Sequence, residues 1–259
     1  MINNKKSPIF ELGLELLIGD PIEKNKFRAT MDVQNARLNS DISFICVGTP
    51  SKENGNIDLE VVIKVIEDIG KALLKKKKYH LIVIRSTVLP GTIEKIIIST
   101  LVRMSKKYIR KEIGVCMNPE FLREGTGIKD FYNPLFVIIG EFDKKSGKIL
   151  KNLWINLDID NNIIYNIEIK VAEMIKYTNN AFHALKVVFA NEIRTICKKL
   201  RIDSHKVIDI FVRDTMPNLS PYYLKPGFAF GGPYLAEDLR AFNYLSKMEG
   251  IEMLIMFLI

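Results

Sequence analysis

"HLIVIRST", residues 80–87, decides the fold. It is a continuous apolar run that stops on small polar residues, with no polar alternation through it. A strand that faces solvent on one side alternates, whereas one covered on both faces does not. "DISFICVGTP" (41–50), "IGVCMNPE" (113–120) and "LFVIIGE" (135–141) read the same way. Between the first two of these runs, "LEVVIKVIEDIGKALLKKKK" (59–78) sets apolar residues at helical spacing, with Asp58 as its expected cap. "PGTIEKIIISTLVRMSKK" (90–107) begins on Pro-Gly and is also helical. Strand–helix–strand repetition predicts a parallel α/β sheet.

Residues 168–200 contain no Gly or Pro and read as one long helix. A second helix is expected over 203–214, then a Pro/Tyr/Gly loop, then a last helix over 236–250. No internal repeat or low-complexity linker interrupts the chain. In parallel sheets, ligands bind where strand C-termini open into loops. "VGTPS" (47–51), "RSTVLPGT" (85–92) and "MNPEFLREGTG" (117–127) occupy such ends. Together their hydroxyls, amides and acids favour a nucleotide or phosphorylated ligand. The glycine turn G-x-G-x-x-G of dinucleotide folds is nowhere in the sequence; "EGTG" (124–127) follows Arg123 and not a strand.

With 259 residues, 47% hydrophobic and 26% charged, the chain can bury one large or two modest cores, and disorder is not the expectation. The net charge of +8 comes mostly from lysines such as Lys75–Lys78 and the Lys106/Lys107/Arg110/Lys111 cluster. These read as a solvated basic face; no aromatic-rich reading surface or zinc spacing accompanies them, so neither nucleic acid nor metal is expected. Cys46, Cys116 and Cys197, odd in number and far apart, suggest reduced and mostly buried thiols in a cytosolic setting. "MINNKKSPIF" lacks the apolar core of a signal peptide, and "MLIMFLI" (253–259) is too short to cross a bilayer. A soluble, cytoplasmic protein without a membrane partner is expected.

Five ordered motifs carry a resemblance: "ICVGTPSKENGNIDL" (45–59), "RSTVLPGT" (85–92), "MNPEFLREGTGIKDF" (117–131), "VAEMIKYTNNAFHALKVVFANEI" (171–193) and "NLSPYYLKPGFAFGG" (218–232). From Lys6 to about Tyr244 the chain resembles the UDP-glucose/GDP-mannose dehydrogenases, on the GDP-mannose side through "YYLKPGFAFGG" and "AFHA". The resemblance implies an α/β fold: an incomplete doubly wound, Rossmann-like NAD-binding domain over 1–166, without its first strand, glycine turn and first helix. A connecting helix and a helical dimerisation region follow over 167–259, and the family's C-terminal nucleotide-binding domain is absent. The implied reaction is an NAD-dependent, two-step oxidation of a nucleotide sugar at C6, through a cysteine thioester that water releases as the uronate.

The same resemblance assigns residues. Glu120, Lys176, Asn180 and Asp238 match catalytic positions; Lys176 and Asn180, four apart, share a helical face suited to an oxyanion. Thr49, Thr87 and Glu124 match the cofactor side. Phe121, Leu122, His183, Asn191, Tyr222, Tyr223, Lys225, Phe228 and Gly231 match the grip on GDP-mannose or a related nucleotide sugar, with Lys225 where the family has Arg. The family loop Gly-Gly-Ser-Cys-Leu-Pro-Lys-Asp reads Gly231-Gly232-Pro233-Tyr234-Leu235-Ala236-Glu237-Asp238 here. Tyr234 replaces the nucleophilic cysteine, and a phenol with a pKa near 10 forms no thioester. Glu237 replaces a lysine beside the cofactor and is expected to repel NAD. The expectation is therefore a degraded dehydrogenase without uronate-forming activity. The alternatives are a non-catalytic nucleotide-sugar-binding or dimerisation module, pairing with itself or an intact homologue, and a gene fragment.

Overall fold

The computed structural model describes residues 1–215 and 234–248. Its frame is a five-stranded sheet of β1 (Ile42–Ile45), β2 (His80–Ile84), β3 (Ile113–Met117), β4 (Val137–Glu141) and β5 (Ile164–Glu168), lying side by side in that order. The four apolar runs are all strands. β1, β2 and β3 are parallel, as expected, and so are β4 and β5. β4, however, runs antiparallel to β3, so the sheet is mixed. An apolar run reports burial on both faces and is silent on direction, which is why the sequence reading missed the reversal. β5 escaped it as well, because "IYNIE" is short and only partly buried.

The helices among the described residues are α1 (Leu14–Glu23), α2 (Val33–Leu38), α3 (Glu60–Leu73), α4 (Ile98–Ser105), α5 (Gly127–Tyr132), α6 (Lys144–Ile155), α7 (Ile169–Leu200), α8 (Ser204–Phe211) and α9 (Tyr234–Met248). A π-helical turn at Ile93–Ile97 leads into α4. The N-cap of α3 is Leu59 and not Asp58, whose carboxylate lies 3.7 Å from Lys52 Nζ. Every residue of β2 and β3 is buried. Leu81, Val83, Cys116, Val137, Ile139, Leu150 and Trp154 form one core cluster under the sheet. α3 meets α4 where Gly70 leaves no side chain; a Cβ there would stand 2.5 Å from Met104 Cβ.

α3 was expected to reach residue 78 but ends at Leu73. The lysine run turns inward instead. Lys76, only 5% exposed, donates to the carbonyls of Arg37 (3.0 Å) and Ser40 and lies 3.0 Å from His80 Nδ1. The other ring nitrogen of His80 is 2.8 Å from Ser43 Oγ. Burial first, then the neighbouring Lys76 charge, push the His80 pKa down to about 4. The folded chain therefore disfavours the imidazolium, and stability present above the ordinary value of about 6.5 is lost as pH falls through 4. His80→Gln is expected to remove that contribution, so that its stability relative to the wild type falls as pH rises from 4 to 7 in urea unfolding.

The chain divides into two compact units: residues 1–48 with 59–173, which hold the sheet, and residues 49–58 with the chain from 174 onward. Cys116 and Cys197 are buried as expected, and burial pushes the Cys116 thiol up to about 12. Cys46 corrects the expectation: it is exposed, because β1 is the edge strand and Cys46 lies past its last paired residue. No helix among the described residues is long and apolar enough to cross a membrane.

Candidate functional site

In the sheet unit, the candidate groups stand on the loops after β2 and β3. The backbone N–H groups of Arg85 and Ser86 both donate to Ile45 O (2.9 and 3.0 Å), and Ser86 Oγ donates to Val47 O at 2.6 Å. These bonds close the β2 exit onto the end of β1. Arg85 Nη1 then donates to Asn118 Oδ1 at 2.7 Å, and its guanidinium stands 6.0 Å from the centre of the Trp154 ring. Asn118, 1% exposed, donates its own Nδ2 to Ile138 O at 2.8 Å. One amide thus ties the ends of β2, β3 and β4 together, immediately before Pro119-Glu120.

Glu120 uses its carboxylate locally, accepting the Leu122 N–H at 2.7 Å. Phe121 packs edge-on against Phe136, ring centres 4.8 Å apart, while Leu122 and Glu124 are exposed. Thr87 is half-buried. The loop is held from below by Arg123, whose Nε and Nη2 grip Asp130 at 2.9 and 2.6 Å. Hydrogen bonds from Arg123 hold the Asp130 pKa down to about 2.

Glu173, which the sequence reading passed over, is a buried acid in the same unit. Its two oxygens accept the N–H of Gly91 at 2.6 Å and of Ile93 at 3.0 Å. Gly91 has a φ of 89°, a left-handed turn that glycine enters without strain. Burial lifts the Glu173 pKa to about 7, against the pull of the two amides. The free donors that begin the π-turn and α4 are thus taken by a carboxylate of the protein itself. Nothing in the sequence marks Glu173, which is one of two acids on a long helix.

The other unit holds Thr49, Lys176, Asn180, His183, Asn191, Tyr234 and Asp238. Asn180 Nδ2 donates to Asp238 Oδ2, joining α7 to α9. Ala181, Ala184 and Leu239 pack together beside that bond. Lys176, one turn before Asn180, is 6% exposed; His183 and Asn191 are half-buried further along α7. Ser51 Oγ donates to Glu237 O at 3.3 Å, fixing the 49–58 loop to the start of α9. Tyr234 is the first residue of α9, which begins two residues earlier than expected, and it is 64% exposed. Of the assigned positions, Tyr222, Tyr223, Lys225, Phe228 and Gly231 lie outside the described residues. The structure thus joins Asn180 with Asp238, while Thr87, Glu120, Phe121, Leu122 and Glu124 belong to the sheet unit.

Two family models match: the NAD binding domain of the UDP-glucose/GDP-mannose dehydrogenase family over residues 1–158, and the central domain of the same family over 170–258. The chain is 48% identical over 252 residues to a GDP-mannose 6-dehydrogenase of Pseudomonas savastanoi pv. phaseolicola, covering 97% of this chain and 57% of that protein. It is similar to the ternary-complex crystal structure of GDP-mannose dehydrogenase from Pseudomonas aeruginosa, with a TM-score of 0.80 and 46% identity over 97% of this chain and 57% of that one. It is also similar to a UDP-glucose dehydrogenase structure from the archaeon Pyrobaculum islandicum, with a TM-score of 0.91 and 30% identity over 98% of this chain and 57% of that one. The chain spans a little over half the length of the relatives it matches.

Proposed function

The chain belongs to the UDP-glucose/GDP-mannose dehydrogenase family, and on that premise we propose that it binds a nucleotide sugar of the GDP-mannose class without carrying out the two-step oxidation of its relatives. The organisation we propose is a cofactor-type sheet domain over 1–166 and a helical domain over 167–259. The observation that carries the reading is the helical unit: Asn180 and Asp238 bonded across α7 and α9, with Lys176 buried one turn away and Tyr234 at the head of α9. The amide, acid and lysine suit a polar sugar; the phenol supplies no thiolate for a thioester.

The donor set fits NAD poorly. A dinucleotide pyrophosphate needs free N–H groups at a helix N-terminus. The pair at Gly91 and Ile93 is occupied by Glu173, and the first turn of α9 carries the acidic Glu237. In this reading Thr49, Thr87 and Glu124 are relics of a cofactor site, and Glu120, Phe121, Leu122, His183 and Asn191 serve the sugar nucleotide.

Isothermal titration tests this. GDP-mannose is expected to bind, NAD is expected not to bind at millimolar concentration, and the two together are expected to give no absorbance from reduced cofactor. Reduced cofactor and a uronate product would overturn the reading. A pairing module is the second reading, favoured if neither ligand binds and the chain co-purifies with an intact relative.

A further inference from the structure

We propose that the end of the sheet opposite the β1–β3 exit loops docks on an anionic lipid membrane. Three connections meet there, leading into β2 (74–79), into β3 (106–112) and into α6 (142–143). Lys107 Nζ donates to Lys76 O at 2.6 Å, which joins the first two. Lys145 Nζ stands 3.7 Å from the centre of the Tyr79 ring, and the Arg110 guanidinium stands 4.8 Å from that of Phe142. The third connection is thereby locked to the other two. Lys75, Lys77 and Lys78 are exposed on the first, and Lys106, Arg110 and Lys111 on the second.

Three acids of this end are engaged locally, while Asp41 before β1 and Glu168 at the end of β5 are exposed. Glu112 pairs with Lys107 at 3.0 Å. Asp143 caps α6 by accepting the Ser146 N–H at 3.0 Å. The Glu141 side chain is 8% exposed and holds Lys144 and Asn166. The exposed cations outnumber the two exposed acids, so the surface is positive.

Helix electrostatics explain part of this. α3 and α4 end here, and cations beyond a helix C-terminus answer its partial negative charge. α6 begins here, yet its first turn carries Lys144 and Lys145 and no acid. That is the unfavourable sign for a helix N-terminus, offset in the fold by the Lys144–Glu141 pair and by Lys145 over Tyr79.

Two exposed apolar side chains point to the partner. Leu74 is 53% and Tyr108 73% exposed, each among the lysines. A purely solvated face gains nothing from them. A bilayer interface does, because aliphatic and aromatic tips sink into it while lysine stems lie along it. Lysine dominates the patch, and its single exposed arginine, Arg110, already faces Phe142. Nucleic-acid sites favour the planar arginine fork, whereas point charges suit the diffuse field of anionic lipid.

The test mixes the full chain with phosphatidylcholine vesicles and with vesicles that also contain phosphatidylglycerol, read by co-flotation as salt is raised. Binding is expected on the anionic vesicles alone and is expected to fade with salt. Lys75→Gln/Lys77→Gln/Lys78→Gln is expected to weaken it on the order of 100-fold, about fivefold per lysine. Leu74→Ser/Tyr108→Ser is expected to weaken it several-fold at unchanged charge. All five positions are exposed, circular dichroism checks the fold, and the wild-type salt titration stands independently of the variants. Absence of binding to anionic vesicles at low salt overturns the proposal. So does equal binding to neutral vesicles, or tighter binding to a fluorescent DNA duplex that is indifferent to Leu74 and Tyr108.

Discussion

Replacing Glu173 by alanine is expected to destabilise the protein by about 3 kcal/mol near neutral pH. Two amides would lose their acceptor in a buried place, at about 1–3 kcal/mol each, and only partial rehydration would offset the loss. The measurement is a urea unfolding series, read as a shift in midpoint at constant slope. Glu173→Gln is more informative about charge. The carboxyl is raised from 4.5 to about 7, so the folded state holds the proton more tightly than the unfolded chain. Stability from this group is fully present below pH 4.5 and is lost as pH rises through 7, a swing of about 3 kcal/mol. Nearby Glu94 adds to the rise and Lys170 opposes it. His80 acts with the opposite sign over about pH 4 to 6.5. The two slopes nearly cancel in the wild type, so Glu173→Gln is expected to leave a curve rising with pH, and His80→Gln one falling with pH. A wild-type curve that both variants leave unchanged would refute this account.

Asn118→Leu is expected to cost roughly 2–4 kcal/mol. Leucine fills the space but can neither accept from Arg85 nor donate to Ile138, leaving a half-buried cation and a buried carbonyl each short of a partner. The effect should reach the candidate site, because Pro119-Glu120 follows directly. Amide exchange at Leu122, whose N–H rests on the Glu120 carboxylate, is expected to accelerate together with the drop in the urea midpoint. Unchanged Leu122 exchange in a destabilised variant would show that Asn118 supports the sheet without positioning the loop. Asn118→Asp keeps the Arg85 partner but turns a second acceptor toward the Ile138 carbonyl, so only part of the loss is expected to be recovered.

What the sequence made legible follows from which properties are periodic. β2 and β3 were visible because all their residues are buried, and α7 because 32 residues pass without Gly or Pro. The reversal of β4 was not, because burial carries no arrow. α3 was drawn too long because lysine is a good helix former, and nothing in "KKKK" marks Lys76 as the one that turns inward. Asn180 and Asp238 were named through the resemblance, and the structure brings them together. Glu173 and the Arg85–Asn118 pair were not named, since each acts through a partner far away in sequence.

The join between β3 and β4 has a consequence for how the sheet comes apart. Cys116 with Glu141 and Met117 with Gly140 pair across it, with one further bond from the Phe142 N–H to Val115 O, whereas β1–β2, β2–β3 and β4–β5 each carry longer ladders. The backbone is thus two parallel leaves held by a short clasp, with the Asn118 amide spanning the same line. α3 and α4 connect the strands of the first leaf and α6 those of the second, but α6 also packs on β3. Sub-global opening costs least where the fewest bonds must break. The clasp is therefore the line of fewest backbone bonds, and what resists its opening is the apolar cluster of Leu81, Val83 and Cys116 with Val137, Ile139, Leu150 and Trp154 that spans both leaves.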